Sequence, residues 1–286
     1  MNPSNTPAIL LAAGRGERMR PLTDTCPKPL LQVQGKPLMQ WHLEALAQGG
    51  FGQVVINTAW LGEQIEITFG TNFGEVHIAY SHEGRDFGGA LETAGGIARA
   101  MPLLQGGWAS AGSAPCPPAC GLLLLPAQSP QPPSLLGDVF WVLAGDVFAP
   151  DFAFTQKAVA RFCASDKLAH LWLVPNPEHN AKGDFGLQLD GDATDDGVSI
   201  GLALSLPPDS PLPRYTYSTI GLYRSALFAP PWCDIPPGNP AGVKAALAPL
   251  LRAAMAQHRV SAQLYTGRWT DVGTPQRLAQ LNAMPL

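Results

Sequence analysis

The chain has 286 residues, of which 46% are apolar and 14% are charged, and its formal net charge is -4. This length suits one large α/β domain or two small ones, and the apolar fraction is enough for a sizeable core. The slightly acidic balance argues against a nucleic-acid-binding protein, which needs a basic surface.

Strands and helices alternate through the first part of the chain. Short apolar runs are typical of buried parallel strands, and the segments between them carry apolar residues at helical spacing. The predicted strands are 8–13, 53–58, 76–81, 139–146 and 168–174, and the predicted helices are 37–50, 60–70, 92–101 and 153–165. This alternation predicts an α/β fold with a Rossmann-like, mostly parallel mixed sheet and helices on both faces.

The rest of the chain predicts an extension of the same sheet and not an independent domain. Short strands with Gly/Asp turns are predicted within 186–206. Further predicted elements are strands at 216–225 and 260–267 and helices at 241–258 and 274–284. Residues 102–137, rich in proline, glycine, serine and alanine, predict an inserted surface loop. We therefore expect a single domain over 1–286.

Cysteine usage and the length of the apolar runs bear on the compartment. The five cysteines are irregularly spaced, which is typical of reduced thiols, and their pattern does not indicate a zinc site. The N-terminal apolar run is too short for a signal peptide, and no later run reaches membrane-spanning length. These features predict a cytoplasmic protein without membrane contact, either a monomer or a small homo-oligomer.

A glycine turn with several cations follows the first predicted strand. Such a turn offers backbone N–H groups to an anion. The dinucleotide fingerprint requires a third glycine where Met19 stands, and no Walker sequence occurs. Residues 11–20 therefore predict a phosphate loop of another kind, with Arg18 able to fork onto phosphate oxygens and Lys28 held between two prolines. The alternative is a solvated basic turn.

The string LAAGRGERMRPLT, followed by PKPLL, resembles the signature of the sugar-1-phosphate nucleotidyltransferases. The similarity continues in INTAWLGEQI, LETAGGI, LAGDVF, GDFGL, YSTIGLY and WTDVGTPQRL, and covers most of the chain outside 102–137. These enzymes join a sugar 1-phosphate to a nucleoside triphosphate and release pyrophosphate. INTAWLGEQI with LETAGGI is most similar to the branch that uses N-acetylmuramate 1-phosphate and UTP in cell-wall recycling.

The resemblance implies the nucleotide-diphospho-sugar transferase fold. It divides the chain into a nucleotide-binding core, 1–101 and 138–175, and a sugar-binding and C-terminal part, 176–286. It also implies four catalytic residues, Arg18, Lys28, Asp146 and Asp271, with the two aspartates as ligands of Mg²⁺. Read without the resemblance, Asp146 ends a strand in a turn, and Asp271 is an N-cap-type residue near the last helix.

Nucleotide binding is assigned by resemblance to two segments and one further residue. Small residues allow the main chain to approach a flat base, although a helix start with Glu92 in its first turn accounts for ETAGG equally well. The candidates are Leu11, Ala12, Ala13, Gly14, Arg15, Gly16, Glu83, Thr93, Ala94 and Gly95.

GDFGL resembles the sugar-side loop of the family, in which Asp184 would accept hydrogen bonds from sugar hydroxyls and Gly186 would permit close contact. A turn entering a strand explains these residues as well. The E-K-P lysine of many relatives is missing here, so either Arg214 takes its place or Lys28 acts alone.

Two further functions stay open at this point. One keeps the fold with other substrates, as in mannose-1-phosphate guanylyltransferases or glucose-1-phosphate thymidylyltransferases. The other is a non-catalytic nucleotide-binding regulatory domain, against which the retention of Arg18, Lys28 and both aspartates counts.

Overall fold

The computed structural model describes residues 6–106, 138–189 and 197–284, so most of the predicted inserted loop lies outside the described residues. The strands are β1 (Ala8–Ala12), β2 (Gln32–Val33), β3 (Lys36–Pro37), β4 (Gln53–Thr58), β5 (Asn72–Phe73), β6 (Val76–His82), β7 (Val139–Ala144), β8 (Val147–Phe148), β9 (Ala169–Val174), β10 (Phe185–Leu189), β11 (Ile200–Leu204), β12 (Arg214–Arg224), β13 (Val260–Leu264) and β14 (Thr270–Asp271). The helices are α1 (Leu22–Thr25), α2 (Leu38–Gln48), α3 (Gly62–Phe69), α4 (Glu83–Phe87), α5 (Glu92–Leu104), α6 (Gln156–Ala164), α7 (Leu247–Ala256) and α8 (Pro275–Ala283).

Within the described ranges, ten strands form one mixed sheet in the order β10-β11-β13-β9-β12-β7-β1-β4-β6-β5. β1 is parallel to both β4 and β7, and β6 is parallel to β4. β12 is antiparallel to its neighbours β7 and β9. The carboxyl ends of β1, β4, β6 and β7 therefore lie at one edge of the sheet, which is where open α/β sheets bind ligands.

Helices cover both faces of this sheet, so the predicted fold class is confirmed. α2, α3 and α6 pack on one face, in a core that includes Leu43, Phe51 and Trp141. α5 and α7 pack on the other face, with Ile97 and Leu251 among the buried residues. Burial on both faces explains why the central strands are continuous apolar runs. No helix of the described ranges has the length and apolar character needed to cross a membrane.

The start of α7 is the largest difference from the predicted elements. The helical spacing predicts a helix from 241, whereas α7 begins at Leu247. The side chain of Asn239 accepts a hydrogen bond from Val243 N at 2.8 Å, and the carbonyl of Ala245 accepts one from Ala94 N at 2.9 Å. The backbone before α7 is thus bonded to the Asn239 side chain and to α5 instead of forming a helical turn.

Helix α5 extends beyond the predicted end at 101 and contains Pro102. Proline has no N–H group with which to bond the carbonyl four residues earlier. Here that carbonyl, of Ala98, accepts a hydrogen bond from Gly238 N at 2.7 Å instead. A bond from outside the helix therefore replaces the one that proline removes, and the helix continues to Leu104.

Buried His170 predicts an acid-sensitive contribution to stability. Burial lowers the pKa of His170 from 6.5 to about 4. The unfolded chain therefore binds this proton at higher pH than the folded chain, and the free energy of unfolding falls as pH drops from 6.5 to 4. We expect His170→Asn to remove about 3 kcal/mol of this acid dependence. Urea denaturation at pH 7 and pH 4 measures it.

Exposed His258 provides the matched control for this experiment. His258→Asn should leave the difference in unfolding free energy between the two pH values as it is in the unmodified protein. If the His170→Asn variant showed the same difference in unfolding free energy between pH 7 and pH 4 as the unmodified protein, the acid dependence would not come from the buried imidazole.

Candidate active site

The chain leaves β1 through a glycine-containing loop, residues 13–16, at the carboxyl edge of the sheet. Gly16 has φ +67°, which glycine adopts without strain, and Thr23 Oγ1 donates to its carbonyl oxygen at 2.8 Å. The backbone N–H groups of Gly14 and Arg15 have no acceptor among the described residues. Free N–H groups in such a turn are the donors that an anion uses.

Arg15 and Arg18 of this segment differ in their surroundings. The Arg15 guanidinium lies 3.7 Å from the centroid of the Trp60 ring and donates to the carbonyl oxygen of Thr23 at 2.9 Å. Arg18 is exposed on a 3₁₀ turn, Glu17–Met19. Arg15 is therefore held by local contacts, whereas Arg18 extends into solvent.

Lys28 forms an ion pair with Asp146. Lys28 begins a 3₁₀ turn, Lys28–Leu30, and only 10% of its side chain is exposed, compared with 40% for Asp146. Lys28 Nζ lies 2.5 Å from Asp146 Oδ2, a charge-assisted hydrogen bond. The loop that carries Asp146 is joined to β1 by a bond from Gly145 N to the carbonyl oxygen of Leu11, at 2.9 Å.

Strand β14 brings Asp271 beside Asp146. Asp271 is paired with Val147 in the two-stranded sheet of β8 and β14. Val272 N donates to the carbonyl oxygen of Asp146 at 2.8 Å. The two aspartates predicted as metal ligands, far apart in the sequence, therefore occupy neighbouring positions of the backbone.

The carboxylate of Asp271 is engaged by two basic side chains. Its Oδ1 accepts a hydrogen bond from Arg277 and lies 2.7 Å from Nε2 of His179. The residue that caps α8 is Thr274, whose Oγ1 accepts a bond from Arg277 N at 3.3 Å. Asp271 is therefore not the N-cap of this helix, and its carboxylate instead contacts basic side chains.

Two neighbouring aspartates suit a hard divalent cation, which needs one or two carboxylates together with water and phosphate oxygens. Within the described residues, no three or more His, Cys, Asp and Glu side chains are grouped to hold a metal. The basic groups on Asp146 and Asp271 show that both carboxylates already attract positive charge. Asp146 and Asp271 therefore fit a cation that takes most of its ligands from the phosphate of a bound substrate.

A buried network joins the end of β1 to the segment before α5. Asn57 Oδ1, at the end of β4, accepts a bond from Ala12 N at 2.7 Å, and Asn57 Nδ2 donates to Glu83 Oε1 at 2.6 Å. Glu83 Oε2 accepts a bond from Leu91 N at 2.7 Å. Burial raises the pKa of the Glu83 carboxyl, although these donors oppose the rise. Glu83 thus positions two loops of the site.

The small residues predicted to contact the base lie at the start of α5. Thr93 lines the cleft described below, whereas Ala94 and Gly95 are buried. Their N–H groups donate to the carbonyl oxygen of Ala245 at 2.9 and 3.1 Å. A Cβ on Gly95 would collide with the carbonyl oxygen of Val243. Packing against the segment before α7 therefore requires glycine at position 95.

The predicted sugar-side residues are divided between the cleft and the sheet. Asp184 lines the cleft, and its Oδ2 accepts a bond from Tyr217 N at 2.8 Å. Gly186 is buried in β10, where it is paired with Arg214 of β12. The Arg214 side chain donates to the carbonyl oxygen of Pro207 and does not line the cleft.

The cleft at the carboxyl edge has a volume of about 630 Å³. The predicted residues that line it are Leu11, Ala12, Ala13, Gly14, Lys28, Glu83, Thr93, Asp146 and Asp184. The predicted residues that do not line it are Arg15, Gly16, Arg18, Ala94, Gly95, Gly186, Arg214 and Asp271. The lining residues that sequence analysis missed are Pro29, Asn57, Ala90, Glu92, Val142, Ala144, Phe185, Tyr217, Thr219, Ala246, Leu247, Ala248, Leu251 and Arg252.

For Asn57 a signal was available, since the polar pair Asn57 and Thr58 closes a parallel strand whose middle, 54–56, is apolar. Tyr217 and Thr219 of β12 lie in YSTIGLY, which resembles the family but suggested no role for either residue, and the residues of α7 carried no such signal. Their place in the cleft follows from packing of the chain's second half against the first.

The fold and the cleft place this chain in the class of α/β proteins that bind ligands at the carboxyl edge of a sheet with a parallel centre. Residues 7–109 match the nucleotidyl transferase family. Over 280 residues, 97% of each chain, the sequence is 45% identical to N-acetylmuramate alpha-1-phosphate uridylyltransferase of Neisseria meningitidis serogroup B. The chain therefore belongs to the sugar-1-phosphate nucleotidyltransferase family.

Two further similarities agree with this family. A segment of 97 residues, 32% of this chain and 25% of the relative, is 47% identical to UTP–glucose-1-phosphate uridylyltransferase of a Synechocystis species. The solved structure of UDP-glucose pyrophosphorylase from Acinetobacter baumannii superposes with a TM-score of 0.66 at 14% identity, covering 97% of this chain and 92% of the other. At that identity the structural likeness supports the fold alone.

The Asn57 network predicts a measurable contribution to stability. Asn57→Ala removes the partner of Ala12 N and one donor to Glu83, and buried polar groups left without partners are expensive. We expect the free energy of unfolding to fall by about 3 kcal/mol. Urea denaturation at pH 7 measures the change.

Asn72 is the matched control, because its hydrogen bonds are exposed. Asn72→Ala should change the unfolding free energy by less than about 0.5 kcal/mol. Equal effects of the two substitutions would show that the Asn57 network does not support the fold in this way.

Proposed function

We propose that this protein transfers the uridylyl group of UTP to N-acetylmuramate 1-phosphate and releases pyrophosphate. The observation that carries the proposal is the arrangement of a phosphate loop, Lys28 and Asp146 around one cleft. The choice of substrates is supported by the similarity to the Neisseria uridylyltransferase along almost the whole chain.

In this proposal, the free N–H groups of Gly14 and Arg15 bind the triphosphate tail of UTP, and exposed Arg18 adds a fork of donors. Lys28 is held in place by its short turn and neutralises the approaching sugar phosphate. An oxygen of that phosphate attacks the α-phosphorus as the bond to pyrophosphate breaks in line. The attacking oxygen is already anionic, so no general base is required.

The proposed cofactor is Mg²⁺, which Asp146 and Asp271 would hold together with phosphate oxygens. When bound, it would neutralise charge on the phosphates that exchange partners. Lys28 and Arg277 now provide positive charge to these carboxylates, and this supports a position suited to a cation.

The proposed reaction would return a cell-wall sugar to the nucleotide-sugar pool, which is a step of peptidoglycan recycling. We propose a cytoplasmic enzyme, since its co-substrate UTP is made there. The free thiols of Cys26, Cys163 and Cys233 are compatible with a reducing compartment.

A substrate panel tests the proposed function. Pyrophosphate release is measured with UTP, GTP and dTTP, each combined with N-acetylmuramate, mannose and glucose 1-phosphates. The highest kcat/KM is expected for UTP with N-acetylmuramate 1-phosphate. Preference for GTP with mannose 1-phosphate, or for dTTP with glucose 1-phosphate, would replace the proposed substrates. Tight nucleotide binding without turnover would indicate a regulatory domain.

Asp146→Asn tests the proposed carboxylate role. The variant keeps the shape of the side chain but loses the charge, and we expect kcat to fall by about 1,000-fold. Asp151→Asn is the matched control, since Asp151 pairs with Arg268 on the surface and does not line the cleft. Pyrophosphate release in excess Mg²⁺ measures both. Turnover within about twofold of the unmodified enzyme would exclude Asp146 from the reaction.

Arg18→Ala separates a binding role from a structural one. An exposed arginine without described partners should contribute little to stability, but its loss should raise the KM for UTP by about tenfold. Arg15→Ala provides the contrast, because it removes the contacts with Trp60 and Thr23 and should lower Tm. An unchanged KM for UTP in the Arg18 variant would argue against phosphate binding by this residue.

A further inference from the structure

One positively charged residue of the cleft has no place in the proposed transfer step. Arg252 lines the cleft from α7 and is exposed. No described residue forms an ion pair or a hydrogen bond with it, whereas Lys28, the other cation of the lining, pairs with Asp146. An unpaired guanidinium that faces a ligand cleft is a ready donor for an anionic group of the ligand.

The spacing of α7 explains how Arg252 reaches the cleft. Leu247 and Leu251, four residues apart, lie on one side of the helix and are buried in the core beneath α7. Ala248 directly follows Leu247, and Arg252 directly follows Leu251, so these two residues are also four positions apart. The small side chain of Ala248 leaves space one turn before the guanidinium, and all four residues line the cleft.

Arg252 is distant from the predicted phosphate site in the order of the strands. α7 packs against β11 and β13 of the sheet and against α5, while Asp146 follows β7 and the predicted phosphate loop follows β1. β9 and β12 lie between β13 and β7 in the sheet. Two intervening strands place β13 and β7 about 14 Å apart at the usual strand spacing. β11, on which α7 packs, is paired with β10, and β10 directly follows Asp184, so α7 reaches the sugar side of the cleft.

We propose that Arg252 determines sugar specificity by binding a carboxylate carried by the sugar ring. This inference rests on the proposed function, because N-acetylmuramate bears a carboxylate on its lactyl ether and N-acetylglucosamine does not. The planar guanidinium presents two parallel N–H groups that match a carboxylate. The apolar surface of Leu247 and Ala248 beside it suits the methyl group of the same substituent.

Binding of two nucleotide sugars tests the proposal without requiring turnover. UDP-N-acetylmuramate and UDP-N-acetylglucosamine differ only by the lactyl ether, and calorimetry gives the Kd of each. We expect Arg252→Ala to weaken binding of UDP-N-acetylmuramate by about 10- to 100-fold and binding of UDP-N-acetylglucosamine by less than about twofold. Arg252→Lys should lie between, because it keeps the charge but loses the fork.

Lys244→Ala is the matched control, since Lys244 is an exposed cation just before α7 that does not line the cleft. It should leave both Kd values unchanged. Equal weakening of the two ligands by Arg252→Ala would mean that Arg252 binds their shared diphosphate, and no weakening would mean that it binds neither group. Either result overturns the proposal.

The kinetic counterpart separates this inference from the proposed function. The unmodified enzyme should turn over N-acetylmuramate 1-phosphate with UTP, and Arg252→Ala should raise the KM for that sugar phosphate while leaving the KM for UTP unchanged. Absence of turnover in the unmodified enzyme would refute the proposed function itself. Turnover with an unaltered sugar KM in the variant would refute only the role of Arg252.

Discussion

The contact between Lys28 and Asp146 organises the centre of this protein. Lys28 is almost enclosed, and an enclosed ammonium group without a partner is strongly unfavourable. Asp146 supplies that partner from 118 positions further along the chain. The pair therefore holds the end of β7 against the segment that follows β1, and it places a positive and a negative group together at the mouth of the cleft.

Other hydrogen bonds near this ion pair also hold the ends of strands together beside the cleft. Gly145 N bonds to the carbonyl of Leu11, Val272 N bonds to the carbonyl of Asp146, and Asn57 links Ala12 to Glu83. Each bond joins the ends of different strands, so the geometry of the cleft is set by the folded sheet. Groups held in this way lose little further conformational entropy when a ligand binds, which is the advantage of a preorganised site.

The central sheet was predictable because its strands are buried on both faces and read as apolar runs, as in 53–58, where prediction and structure coincide. The start of α7 was not, because helical spacing continues through a segment whose N–H and carbonyl groups bond to α5 and Asn239 instead. Likewise the glycine at position 95 suggested contact with a base, while the structure explains it by the nearby carbonyl of Val243.

Local patterns in the sequence by themselves determined the alternation of strands and helices, the turn after the first strand, and the residues that reveal the family. Only the tertiary structure decided which cations face the cleft. Arg15 turns away to Trp60, Lys28 turns inward to Asp146, and Arg252 enters from α7. The physical reason is that Arg15 and Lys28 are held by partners from segments that meet them only after folding, Trp60 and Asp146, whereas Arg252 is placed by the packing of α7.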